Sequence, residues 1–483
     1  MNTILLPSKG APLVSIRLLF STGAVHDPIG REGLAALTGG LMVEGGAGGL
    51  SFREILDALY PMAAGIGVQV DREVSVIQGT VHRDHLDAYY DLVRRVVLEP
   101  RFDAADFERL REDQVNAITA GLRASDDEGL GKETLNAVIH EGGPYGRPVD
   151  GTVRGLTAVT RDEVVRFRSA RFTRDRAIAA IAGDVSDRFV ARVESDLGSL
   201  PSGGPDPVRV PKSRTPEGIE LTVVTKPCRA WAISIGHPVA VTRADDDFYP
   251  LFLAGSYFGE HRTFNGVLMN KMRSERGLNY GDYAYVENFV QDGASTFPLP
   301  NTPRRAQAFS IWIRPVAPGH AHFAVRQAMR ELRRLVDDGL TREAFDETRA
   351  FLLSYSRLWA QTPSRRLGYA LDGAFYGRRS LIDELADRLP RLDVGQVNAA
   401  IRRHLRADSA FVAVVADPEA APGFVDRFVA DAPSPIVYDT ETKPEVLAED
   451  GEIAVFPLGA SRAKARILPA ESMFEGDGSG GSG

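Results

Sequence analysis

A chain of 483 residues is too long for one ordinary hydrophobic core, and at roughly 100–200 residues per domain it predicts several. Its hydrophobic content of 43%, charged content of 25% and formal net charge of −8, with no Lys/Arg block, fit a soluble globular protein and argue against nucleic acid as a partner. No apolar run approaches the ~20 residues of a membrane span and no secretory signal is present, while the single Cys228 excludes an intrachain disulfide or a cysteine-based zinc site.

In chain order, residues 2–7 read as a first strand, and residues 13–20 as a second that ends at Ser21, Thr22 and Gly23. Next comes Gly33-Leu34-Ala35-Ala36-Leu37-Thr38-Gly39-Gly40-Leu41-Met42, small and apolar, which on composition alone is a closely packed helix. Ile66, Val68 and Val70 alternate with Gly67 and Gln69, the period of a half-buried strand. His82 and His85 stand three apart with Asp84 between them, a spacing found in some helical metal sites. They fall where a strand gives way to a helix, and residues 80–86 read better as a solvated turn. Asp103 is placed to cap a helix around Phe107 that runs to Ile118. Residues 140–152, containing Gly142, Gly143, Pro144, Tyr145, Gly146 and Gly151, form a Gly/Pro turn region read as structural.

A seam follows at residues 201–218, where five prolines and three glycines can continue neither a helix nor a central strand. It separates an amino-terminal domain, 1–200, from a second domain, 219–436, with an extension at 437–475. The Gly/Ser-rich residues 476–483 have the composition of a linker or tag remnant. The two domains echo each other in order. The strand at 13–20 is matched by 231–236, the helix around Phe107 by one capped by Thr341, and the apolar run 178–184 by 411–417. The offsets are about 220 to 240 residues, which predicts a duplicated α+β domain.

In the second domain, residues 264–280 include Arg273, Gly277, Leu278 and Tyr280, a helix arginine followed by a strand tyrosine. Val325, Met329, Leu332 and Val336 give a helix one buried stripe, stopped at Gly339. His320 and His322 are read in an exposed loop, and His237 and His261 have no partner at useful spacing. Ile453, Ala454, Val455 and Phe456 suggest an extra strand in the extension.

Three of these segments together resemble the pitrilysin/insulinase family of zinc metallopeptidases, in its processing-peptidase-like bacterial branch. Residues 33–42 are similar to its zinc helix, Gly-Leu-Ala-His-x-x-Glu-His, in which two histidines bind the metal and the glutamate is the general base. Here the ligand positions are Ala36 and Gly40 and the base position is Gly39. The third ligand, a glutamate about 77 residues further on, falls at Ala117 or, with a one-residue gap, at Ile118; Glu112 comes more than a helical turn too early. The Pro144-Tyr145-Gly146 loop has its family counterpart too, and residues 264–280 resemble the family's Arg-x-x-x-Gly-Leu-x-Tyr element.

The resemblance spans roughly residues 1–430 and implies the fold: two tandem homologous domains, each a mostly antiparallel sheet covered by helices, facing each other as a clamshell. It implies that Arg273 and Tyr280 reach the substrate. A guanidinium and a phenol are donors that can bind a peptide carbonyl and stabilise the oxyanion formed on it. A catalytic zinc needs three protein ligands and an open position, so no cofactor is expected in this chain.

The implied function is the non-catalytic subunit of a heterodimeric metalloendopeptidase, inactive alone. The zinc would lie in a homologous partner, and the substrate would be an unfolded peptide. Two alternatives stay open: a structural or peptide-binding protein with no part in catalysis, and an enzyme with an unconventional metal site at His82 and His85. Both the periplasm and the cytoplasm are compatible, and since relatives begin a few residues earlier, a leader ahead of Met1 is also an expectation.

Overall fold

The structure, a computed structural model, describes residues 3–204, 210–260, 266–291, 293, 295–438 and 441–476. The readings made at His261, at residues 264–265 and at the tail beyond 476 lie outside the described residues. The first sheet contains β1 (Thr3–Pro7), β2 (Leu13–Phe20), β3 (Gly67–Val70), β4 (Ser75–His82) and β5 (Ala177–Gly183), in the order β1-β5-β2-β4-β3. The second contains β6 (Ile219–Thr225), β7 (Trp231–Val239), β8 (Asp282–Tyr285), β9 (Gln307–Val316), β10 (Ala410–Ala416) and β11 (Ala465–Pro469), in the order β11-β6-β10-β7-β9-β8. Without β11 the two orders are the same, each strand of the second sheet standing five places after its counterpart. In both, the first strand lies parallel to the last and the remaining pairs are antiparallel. The duplication is therefore one of topology as well as of sequence pattern.

Strand period decides which residues face which layer. Along β2, Val14, Ile16, Leu18 and Phe20 join the core formed with the first half's own helices. Ser15, Arg17 and Leu19 point the other way. Eight helices matter to the site: α1 (Leu34–Glu44), α2 (Ala104–Asn116), α3 (Asp127–Ile139), α4 (Val153–Ala158), α5 (Ala321–Asp338), α6 (Arg342–Leu358), α7 (Pro363–Phe375) and α8 (Pro444–Ile453).

The back of the first sheet is covered by α7, from the second half: Leu367 and Leu371 pack on Leu19, Val76 and Ala180. Arg17 donates to Asn301 and, at 3.1 Å, to Ser364 Oγ. The second sheet is backed in turn by α3, from the first half, through Leu135, Val138 and Ile139 against Phe411 and Ala413. Each half thus lends one helix to the other's sheet. Among the described residues no helix is long and apolar enough to cross a membrane.

Local chemistry fixes the helix ends. Thr341 caps α6 by accepting the Ala344 N–H at 3.1 Å, and α5 stops at Gly339, where φ is 72°. Residues 453–456 do not form the expected strand. Pro444 opens α8, and Val446, Asp450 and Ile453 recur at helical spacing on its buried face, so helix period wins over strand-like composition. The strand of the extension is β11, further on.

Candidate functional site

The emptied metal cradle lies on α1. Its amino end is held by Asp27, whose carboxylate accepts the N–H groups of Gly33 and Ala35, each at 2.7 Å. Gln114 on α2 donates to the Gly33 carbonyl at 3.1 Å and the Asp150 carbonyl at 2.6 Å, tying α1, α2 and the 140–152 loop together. At Gly33 a left-handed φ of 104° and an Asp150 carbonyl 2.5 Å from any added Cβ leave glycine the only fit.

The three positions on α1 differ in a way sequence cannot show. Ala36 and Gly40 are half-buried, and a Cβ at Gly40 would meet only Leu110, at 3.9 Å. Gly39 is buried, and a Cβ there would lie 2.7 Å from Val70 Cγ2 and 3.3 Å from Val68 Cγ2. The ligand positions are merely blank, whereas the base position is filled by β3. Downstream, Ala117 is exposed at the first turn of a π-helical stretch, Ala117–Ser125, and Ile118 is buried against Leu130 and Leu156. Zinc does not fit this cradle. Neither a glycine nor an alanine offers a donor, and among the described residues no group of three or more His, Cys, Asp or Glu could hold a metal ion.

The other histidines divide by environment. His85 is exposed and His82 half-buried, the latter accepting the Asp84 N–H at 3.3 Å in a local turn. His322 is not in an exposed loop. It is buried in the first turn of α5 beside the Phe428 ring, 5.2 Å between centroids, and burial lowers its pKa to about 4. His237 is buried too, its Nδ1 bonded to the Pro238 carbonyl and its Nε2 accepting the Arg406 N–H, with its pKa likewise lowered to about 4 by burial. Both sit as neutral core groups.

Arg273 and Tyr280 both lie in the second half, but Tyr280 sits in a bend ahead of β8 and not on a strand as expected. Arg273 lies on a π-helical turn, Met269–Ser274, and is half-buried, with Nη1 4.0 Å from Met269 Sδ. Gly277 then turns the chain with φ of 62°, Leu278 anchors it in the core, and Tyr280 stands 79% exposed. Asn279 fixes this loop by donating to Asp282 at 2.8 Å and to the Arg314 carbonyl at 2.9 Å. Arg273 lines an open cavity of about 1220 Å³ with Lys271, Ser274 and Gly277. The emptied positions and the two donors therefore lie in different halves of the chain.

The far wall of that cavity is α8, which sequence reasoning missed. Arg276 has no exposed side-chain surface and donates to Glu449 and Asp450, each at 2.7 Å, and to the Lys271 carbonyl at 2.8 Å. Arg330 adds bonds to Glu449 at 3.0 Å and Glu452 at 2.7 Å. Burial alone would raise the Glu449 pKa, but hydrogen bonds from Arg276 and Lys271 hold it at about 2. The signal lay in the acids Glu445, Glu449 and Glu452, one helical turn apart, opposite the bases of 271–276 and of α5.

Family models agree with this architecture. Residues 3–152 match the model described as Insulinase (Peptidase family M16), and residues 158–352 match the Peptidase M16 inactive domain. An uncharacterized zinc protease of Mycobacterium bovis is 26% identical over 321 residues, covering 65% of this chain and 68% of the relative. The Non-peptidase homolog YmxG of Helicobacter pylori is 21% identical over 416 residues, covering 84% of this chain and 89% of the relative. The crystal structure of a peptidase M16 inactive domain from Pseudomonas fluorescens has the same fold, with a TM-score of 0.74 at 19% identity, covering 86% of this chain and 95% of that one. With the paired sheets, the position of α1 and these matches together, the chain belongs to peptidase family M16.

Proposed function

We propose that this chain is the non-catalytic subunit of a heterodimeric zinc metallopeptidase, lending Arg273 and Tyr280 to a homologous partner that carries the metal. One asymmetry supports the reading. The ligand positions Ala36, Gly40 and Ala117 offer no donor and the base position Gly39 is packed shut, while Tyr280 projects into solvent and Arg273 opens onto a large cavity. In the assembled enzyme the guanidinium and the phenol donate to the scissile carbonyl of a bound peptide and stabilise the charge that grows on its oxygen. The peptide itself is held in extended form as an added strand. β3 is an edge strand, half-exposed, and packs against α1 through Val68 and Val70.

The test is to purify the chain alone and mixed with a homologue bearing an intact His-x-x-Glu-His helix, and to follow cleavage of an unstructured peptide. Cleavage by the mixture well above that of the partner alone supports the reading. Peptide binding without any gain in cleavage favours the alternative, a structural or peptide-binding protein, for which the open β3 edge would suffice.

A further inference from the structure

The second sheet has one strand more than the first, and that strand comes from the far end of the chain. β11 lies parallel to β6, from Ala465 opposite Leu221 to Pro469 opposite Thr225, and covers an edge that in the first sheet, at β1, pairs with no further strand among the described residues. It is held mainly by backbone. Its residues are half-buried or exposed, Ile467 by 40%, and Arg466 reaches Thr222 Oγ1 at 3.1 Å.

Beyond β11 the chain crosses to the first half and is gripped differently. Ala470, Met473 and Phe474 are buried against Ile118 and Leu156. Arg123 donates to the Met473 carbonyl at 2.6 Å and to the Glu475 carboxylate at 3.0 Å. The N–H groups of Val153 and Arg154 donate to the carbonyls of Phe474 and Glu475, at 3.1 and 2.8 Å.

This is how a peptide ligand is bound: strand addition supplies sequence-independent pairing, and pockets for a few side chains supply selectivity. We propose that residues 461–476 are an intramolecular ligand, a strap that occupies in cis a peptide-docking groove running from the β6 edge to Arg123 and α4. The groove accepts an extended segment whose backbone pairs with β6, followed by three apolar side chains and a carboxylate. While the strap is seated, no other segment enters. With so little side-chain burial in β11, that part of the strap opens locally without unfolding either half, and full release also withdraws Ala470, Met473 and Phe474 from their pocket. It requires no zinc-bearing partner, so its failure and that of the subunit reading are separable.

The experiment uses the full chain with a protease recognition sequence inserted between Ala460 and Ser461. A fluorescent synthetic peptide of residues 461–476 is added before and after cutting, and binding is read by anisotropy. The cut protein takes up the labelled peptide by exchange, the uncut protein binds it at least ten-fold more weakly, and Arg123→Ala weakens uptake by the cut protein about ten-fold. Equal binding to cut and uncut protein, or none to either, overturns the proposal. Should the cut protein precipitate, hydrogen exchange on the intact chain decides. Amides of 465–468 exchanging at least 100-fold faster than those of β10 support a detachable strap, and equal protection contradicts it.

Discussion

Gly39 and Gly40 are adjacent glycines on one helix, yet the structure gives them opposite roles. A methyl group at Gly40 finds ordinary contact distance, so Gly40→Ala should gain about 0.5–1 kcal/mol from helix propensity. At Gly39 the same methyl group lies 2.7 Å from a β-branched side chain on β3, and overpacking should cost about 1–3 kcal/mol. Urea midpoints of the two variants check this; equal shifts would show that β3 yields freely. That positions 36, 39 and 40 lack donors can be read from the sequence, because it depends on residue type alone. That one of them is closed cannot, because it depends on a strand some thirty residues away. Asp282 shows the same limit. It has the sequence of an ordinary strand acid, but burial raises its pKa to about 8. The folded state keeps a proton that the unfolded chain loses near pH 4, so this contribution is full at low pH and disappears as pH rises through about 8. Urea denaturation at pH 5 and pH 9 should show Asp282→Asn losing less stability than the parent across that interval, by about 1 kcal/mol or more. Parallel behaviour would place the carboxylate in a more polar setting.

At the scale of elements, β1, β2, β3 and β7 could be read as strands from the run or alternation of their side chains, and β5 and β10 were visible as apolar runs. Two elements of the extension were not. Ile453-Ala454-Val455-Phe456 has strand composition, but the buried positions preceding it have helix period and Pro444 starts a helix there. β11 was hidden for the converse reason, since it buries too little side chain to leave a pattern. Charge helps the buried Val446 and Ile453 to hold α8. Glu449 is shared by Arg276, Lys271 and Arg330, and Arg276 has no exposed side-chain surface to recover hydration. Glu449→Ala should therefore cost about 2 kcal/mol, less than a fully buried pair because Glu449 keeps some exposure. It should also bring the first proteolytic cuts into residues 441–453. An unchanged cleavage map would mean that α8 is held by its apolar face alone.

At the scale of the molecule, the duplicated order of strands could be anticipated from the echoes between halves, but the exchange of α3 and α7 could not. An apolar stripe such as Leu135, Val138 and Ile139 shows that a helix is buried without saying against which sheet. Because each half backs the other's sheet, cutting the chain between residues 204 and 210 should not release two fragments. Size-exclusion chromatography of the cut protein should give one peak at the position of the intact chain, and two smaller species would contradict the exchange. The proposed function rests on the same division: one half has a cradle whose ligand positions offer no donor and whose base position is packed, the other a half-buried arginine lining a cavity and an exposed tyrosine. The most direct measurement is peptide turnover by the complex of this chain with a zinc-bearing homologue, comparing the parent with Arg273→Ala and Tyr280→Phe. Loss of one oxyanion donor should lower kcat by about 100-fold while complex formation and the partner's zinc content stay the same. Turnover unchanged in both variants would contradict the account.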